Sequence, residues 1–198
     1  MVTVDFYQKL ARRLELYLLR QANYQLPIKG YDLILLLPIA PDSWDDKKTL
    51  LVSAEALATV PRWDATHEIL LSLRQGLTDE EYLSIYNVDL IESSAYVVQQ
   101  IKRYMARRED GEIEAPISLI GGVTNQTVTV IKSTILEQLQ LGGRYLAEPN
   151  YGHGEITGVL TNIEPEQDDI WLHFDTVDGE RTCTYTDLVS LKSLSAIS

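Results

Sequence analysis

YGHGEITGVL, residues 151–160, sets three glycines around a histidine and a glutamate. Such a stretch can be a phosphate cradle, a metal corner or the tight entry to a small β module. A P-loop ends in a Lys-Ser/Thr pair, whose ammonium and hydroxyl handle the outer phosphates and their magnesium. Here Glu155 follows instead, and a carboxylate repels phosphate. A dinucleotide-binding loop has a strand before it and a helix after it, whereas the residues after Glu155 are β-branched and strand-like. The remaining reading is conformational: glycine permits positive φ at a sharp corner, and a bulge there bends the strand.

Working outward, the chain from Gly143 onward has one texture. GRYLAEP, GEITGVLTNIEP, DIWLHFDTV and RTCTYTDLVSL are short and β-rich, separated by the turn signals PNYGHG, EPEQDD and VDGE. Asp178-Gly179 between two β runs marks a hairpin. Several short strands in about 55 residues predict a small barrel, closed so that no long edge is exposed.

Upstream, the pattern alternates helices with apolar runs. Tyr7, Leu10, Ala11, Leu14, Tyr17 and Leu18 recur at three- and four-residue steps and predict an amphipathic helix, with Lys9, Arg12 and Arg13 mostly on its other side. DLILLLPIA and TLLVSAEAL, joined by PDSWDDKK, predict two neighbouring strands covered on both faces. A helix after Trp63 places Ile69, Leu70 and Leu73 on one face. Thr78 and Glu81 form a capping box, followed by a strand near Ile85 to Ile91. Ser94 is placed to cap a further helix with a Val97, Val98, Ile101, Tyr104, Met105 stripe. Ile117–Ile120 and Val123–Ile131 read as strands, and Thr134 with Glu137 as a second capping box.

The 198 residues carry a net charge of −12 and one cysteine, Cys183. From Leu146 onward there are ten carboxylates against Arg181 and Lys192 alone. Nucleic-acid affinity comes largely from Lys and Arg displacing counterions, so this acidity disfavours a phosphate backbone as partner. A single cysteine excludes an internal disulfide framework. No apolar run approaches the roughly 20 residues of a membrane helix, and the N-terminus lacks a secretory layout. A cytoplasmic setting without membrane association is the expectation.

No catalytic, metal or cofactor signature stands out. THEIL at His67 begins like a zinc-protease helix, but Leu71 occupies the place of its second histidine. Cys183 sits in a β run, where a thiol is more often a small buried hydrophobe than a nucleophile. The adjacent acids Asp45-Asp46, Glu80-Glu81 and Asp168-Asp169 fall in turns or helix starts. Lys102, Arg103, Arg107 and Arg108 suit the negative end of a helix, with a weak polyanion site as the sharper alternative. Trp44 and Trp63 are aromatic rings in polar surroundings, of the kind favoured at protein interfaces.

The run YGHGEITGVLTNI, then IWLHFDTVDGE, then YTDLVSL resembles the SH3-like barrels of the Tudor and KOW type. The resemblance covers about a quarter of the chain, and it implies a barrel that binds protein, RNA polymerase or RNA. Tyr151, Trp171, Phe174 and Tyr185 would supply the rings of an aromatic cage for a cationic side chain.

The expectation is therefore an α+β protein: helices packed on a sheet over 1–142, then an SH3-like β-barrel over 143–198. Its expected role is that of a non-catalytic cytoplasmic adaptor whose acidic barrel engages a basic protein surface. Tyr151, His153, Trp171, Phe174, Tyr185 and Trp44 are the candidate binding residues, with no cofactor, and self-association is left open. One alternative is an enzyme with a site between the two domains, using Asp45, Asp46 or Glu55 with His67. The other is a nucleic-acid-associated factor using the Lys102–Arg108 cluster.

Overall fold

The computed structural model of the chain describes residues 4–26, 28, 31–36, 48–105, 112–119, 122–130, 135–150 and 154–194. The fold is α+β, with two five-stranded sheets and helices between the strands. The chain divides into two compact units, one of residues 29–132 and one joining residues 1–28 to 133–198. The expected boundary at 142/143 differs from this: the N-terminal helix groups with the C-terminal strands. No helix among the described residues is long and apolar enough to cross a membrane.

The unit of residues 29–132 begins with β1 (Tyr31–Leu36), antiparallel to β2 (Lys48–Ala54). A 3-10 turn, Glu55–Leu57, leads to α2 (Arg62–Gly76), α3 (Asp79–Leu83) and β3 (Ile85–Leu90), which lies parallel to β2. Then come α4 (Tyr96–Met105) and the hairpin of β4 (Glu112–Leu119) and β5 (Gly122–Val130). The sheet order is β3-β2-β1-β5-β4. Val98 and Ile101 of α4 pack against Ile34, Leu51 and Val128 on one sheet face. Leu33, Leu35, Leu50 and Val52, on the alternate positions, are buried as well. Both faces of β1 and β2 are thus covered, as their unbroken apolar runs require. The Thr78 capping box is present: the Glu81 amide donates to Thr78 Oγ1 and the Thr78 amide to Glu81 Oε2. Thr134 lies outside the described residues, so the second box does too.

The other unit is α1 (Val4–Gln21), a short α5 (Ile135–Gln138) and five antiparallel strands: β6 (Arg144–Pro149), β7 (Ile156–Pro165), β8 (Ile170–Thr176), β9 (Gly179–Thr184) and β10 (Leu188–Ser193). Strands β6 to β9 meander, and β10 returns beside β6, giving the order β10-β6-β7-β8-β9. The sheet stays open, with β9 and β10 as its edges; this corrects the expectation of a closed barrel. Hydrogen bonds tie α1 to this sheet, from Arg12 to the Leu188 carbonyl and from Tyr185 to Glu15, although the expected division placed the helix with residues 1–142.

Two glycines of the opening stretch are explained by geometry. Gly154 sits at φ +62°, where an L side chain is strained. At Gly158 a Cβ would lie 2.6 Å from the Asp175 carbonyl oxygen, so glycine lets β7 and β8 approach. The register shift in β7 falls later, between Leu160 and Asn162. In the β8–β9 hairpin Val177 and Asp178 form the turn, and Gly179 takes φ +109°.

Candidate functional site

Strand alternation decides which side chains of the C-terminal sheet can meet a partner. In β8, Ile170, Leu172 and Phe174 are buried, while Trp171, His173 and Asp175 lie on the opposite face. Pairing carries the same division outward: Trp171 stands opposite Glu164 of β7 and Thr184 of β9, and His173 opposite Asn162 and Thr182. His173 Nδ1 is 2.7 Å from Glu180 Oε1, and its Nε2 is 3.1 Å from Glu164 Oε2. A carboxylate only accepts, so a ring nitrogen of His173 bonds to one only where it carries an N–H. The outer face of β7 to β9 therefore holds Glu164, Asp175 and Glu180 around Trp171 and His173. No Lys or Arg sits at an outer-face position of these three strands; Arg181 pairs with the inward Phe174 and donates to the Glu155 carbonyl.

The inner face is closed by a buried polar network. Arg12 and Glu15 of α1 form an ion pair at 2.6 Å, 6% and 0% exposed. Arg12 Nε donates to the Leu188 carbonyl, the Tyr185 hydroxyl donates to Glu15 Oε2 at 2.8 Å, and the Arg12 guanidinium lies 5.7 Å from the Tyr185 ring centre. Arg12 was expected on the polar side of α1; it is buried because its charge and donors are met here. Arg13 and Arg20 donate to the carbonyls of Asp168 and Gln167, gripping the β7–β8 turn. Burial lowers the Arg13 pKa, opposed by the neighbouring Asp169 and Asp168. Asp169 in turn accepts from the Ile170 and Thr186 amides and from the Thr186 hydroxyl.

The candidate rings are thereby sorted. Phe174 and Tyr185 are fully buried, Trp171 faces outward, and the three do not share a face. Tyr151, His153 and Trp44 lie outside the described residues. Cys183 is buried opposite Leu172, and burial together with Asp187 and Asp169 pushes its thiol up to about 12. Sequence alternation along DIWLHFD could have separated Trp171 and His173 from Phe174; nothing in the sequence marks Tyr185 as a partner of Glu15, 170 positions away.

The unit of residues 29–132 holds a second concentration of polar groups. A cleft of about 610 Å³ opens at the carboxyl ends of the parallel strands β2 and β3. Ser53 and Ser93 share a hydrogen bond of 2.7 Å in its lining, and Lys102 pairs with Asp32 at 2.8 Å. Glu55, Glu92 and Arg62 are further lining residues, exposed to solvent. Of the sequence candidates, Glu55 and Lys102 line this cleft, while His67 is exposed on α2 and absent from the lining. Asp45, Asp46, Arg107 and Arg108 lie outside the described residues. Among the described residues no group of three or more His, Cys, Asp or Glu side chains is arranged to hold a metal ion.

No family model, no curated protein and no solved structure matches this chain.

Proposed function

We propose that the protein is a non-catalytic binding protein whose acidic sheet face engages a basic surface on a partner protein. The observation that supports this reading is the outer face of β7 to β9, where Glu164, Asp175 and Glu180 surround a half-buried Trp171 and His173 with no Lys or Arg among them. Carboxylates steer a basic partner and suppress acidic ones, while an indole face attracts a Lys or Arg side chain laid across it. The likeness to SH3-like modules belongs to the same proposal. Gly158 lies in β7, Phe174 lies in β8 two residues before its end and ahead of Asp178-Gly179, and Leu188, after Asp187, opens the closing strand.

The test is association of the full chain with a lysine- and arginine-rich peptide, read by titration calorimetry at low and at physiological salt. Binding is expected at low salt and to weaken as salt rises, because exposed charges more than about 8 Å apart are screened at 0.15 M. Glu164→Lys/Glu180→Lys is expected to abolish it, and Trp171→Ala to weaken it about tenfold. Salt-independent binding, or binding unaffected by the charge reversal, overturns the proposal.

A further inference from the structure

The cleft of the 29–132 unit carries an inference independent of the acidic sheet. Its volume, about 610 Å³, falls within the range of sites that enclose small molecules. Its place outside the carboxyl ends of two parallel strands is where open α/β sheets bind ligands. Apolar Leu57, Val60, Leu90 and Ile91 supply part of its wall.

The charges on the wall decide the class of occupant. Lys102 is already neutralised by Asp32. Glu55 and Glu92 have no cationic partner among the described residues, and Arg62, the first residue of α2, offsets one of them. The described lining thus presents one uncompensated carboxylate. The Ser53–Ser93 pair adds lone pairs and one unused hydroxyl hydrogen, since two hydroxyls bring two hydrogens and share one between them.

We infer that this cleft binds a small organic monocation, an amine or guanidinium on a short apolar body, with the charged group at Glu55 and Glu92 and the body against Leu57, Val60, Leu90 and Ile91. An anion of the same size would bring its charge to the two carboxylates, find Lys102 already engaged and have Arg62 alone to meet it.

The test titrates the full chain at low ionic strength with hexylammonium, hexanol and hexanoate, followed by saturation-transfer NMR. Hexylammonium is expected to bind about two- to fivefold more tightly than hexanol, the span an exposed ion pair provides, and hexanoate more weakly than either. Glu55→Gln/Glu92→Gln should erase the advantage of the amine over the alcohol. Lys102→Met, which frees the Asp32 carboxylate, should strengthen amine binding, an opposite sign that nonspecific adsorption does not produce. Circular dichroism verifies that each variant is folded. Hexanoate binding as tightly as the amine, an amine affinity unchanged in the double variant, weakening by Lys102→Met, or no saturable binding of hexylammonium overturns the inference.

Discussion

Glu15 is a carboxylate with no exposed surface, and Arg12 and Tyr185 are among the groups that meet its charge. Removing one partner should therefore cost more than removing the set. Tyr185→Phe deletes one donor to a buried charge and should lower stability by about 1–3 kcal/mol. Arg12→Met removes the buried guanidinium from the Glu15 carboxylate and should cost about 3–5 kcal/mol, whereas Arg12→Met/Glu15→Leu should recover most of that loss. Urea denaturation of the three variants checks the order. Cys183 gives a second expectation at this scale. Its thiol is raised in the folded protein to about 12, from 9.0. The folded state therefore holds the proton more tightly, and the stabilisation is complete below pH 9 and lost as pH rises through about 12. Comparison with Cys183→Ala across pH 8–11 should show the native protein losing stability faster than the variant. A thiol reagent at pH 8 should react slowly until urea is added.

The elements show which local signals decide structure. Thr78 with Glu81 fixes the start of α3, and the unbroken apolar runs of β1 and β2 give strands buried on both faces, because capping and side-chain period are local properties. In YGHGEITGVL the strand-like character of ITGVL was legible, and β7 begins at Ile156. The separate tasks of its glycines were not, because a close approach to Asp175 depends on β8, which lies later in the chain. Those tasks predict different costs. Gly154→Ala meets open space and incurs only the strain of positive φ, about 1–2 kcal/mol. Gly158→Ala drives a methyl into the β8 backbone and should cost about 1–3 kcal/mol while loosening the β7–β8 pairing. Amide exchange at Val159 and Asp175, register partners across β7 and β8, distinguishes the two: faster in Gly158→Ala, unchanged in Gly154→Ala.

For the molecule as a whole, the α+β class and most element positions follow from periodicity, while the grouping of elements does not. The spacing of Leu10, Leu14 and Leu18 predicts a helix but is silent on which sheet receives it. The answer lies in Arg12 to Leu188 and Tyr185 to Glu15, pairings across most of the chain. The same gap explains the barrel expectation: strand count and turn signals favoured closure, whereas the sheet is open and α1 is bound to it through Arg12 and Glu15. Residues 133–198 produced alone should accordingly lack fixed tertiary structure, bind a hydrophobic dye and be cleaved readily. A peptide of residues 1–28 added in trans should restore protease resistance. Resistance of the fragment by itself would show that the sheet does not need the helix.

A unit assembled from both ends of the chain also sets an order of events during synthesis. The first helix leaves the ribosome long before its sheet exists, with Leu10, Leu14 and Leu18 seeking cover. Residues 29–132 have all their own strands in hand first, and can settle while translation continues. Only when Leu188 and Leu191 have emerged can β10 close beside β6 and the helix find its carbonyl and hydroxyl partners. Until then the nascent chain carries an apolar helix that a chaperone, or a neighbouring copy, is free to hold.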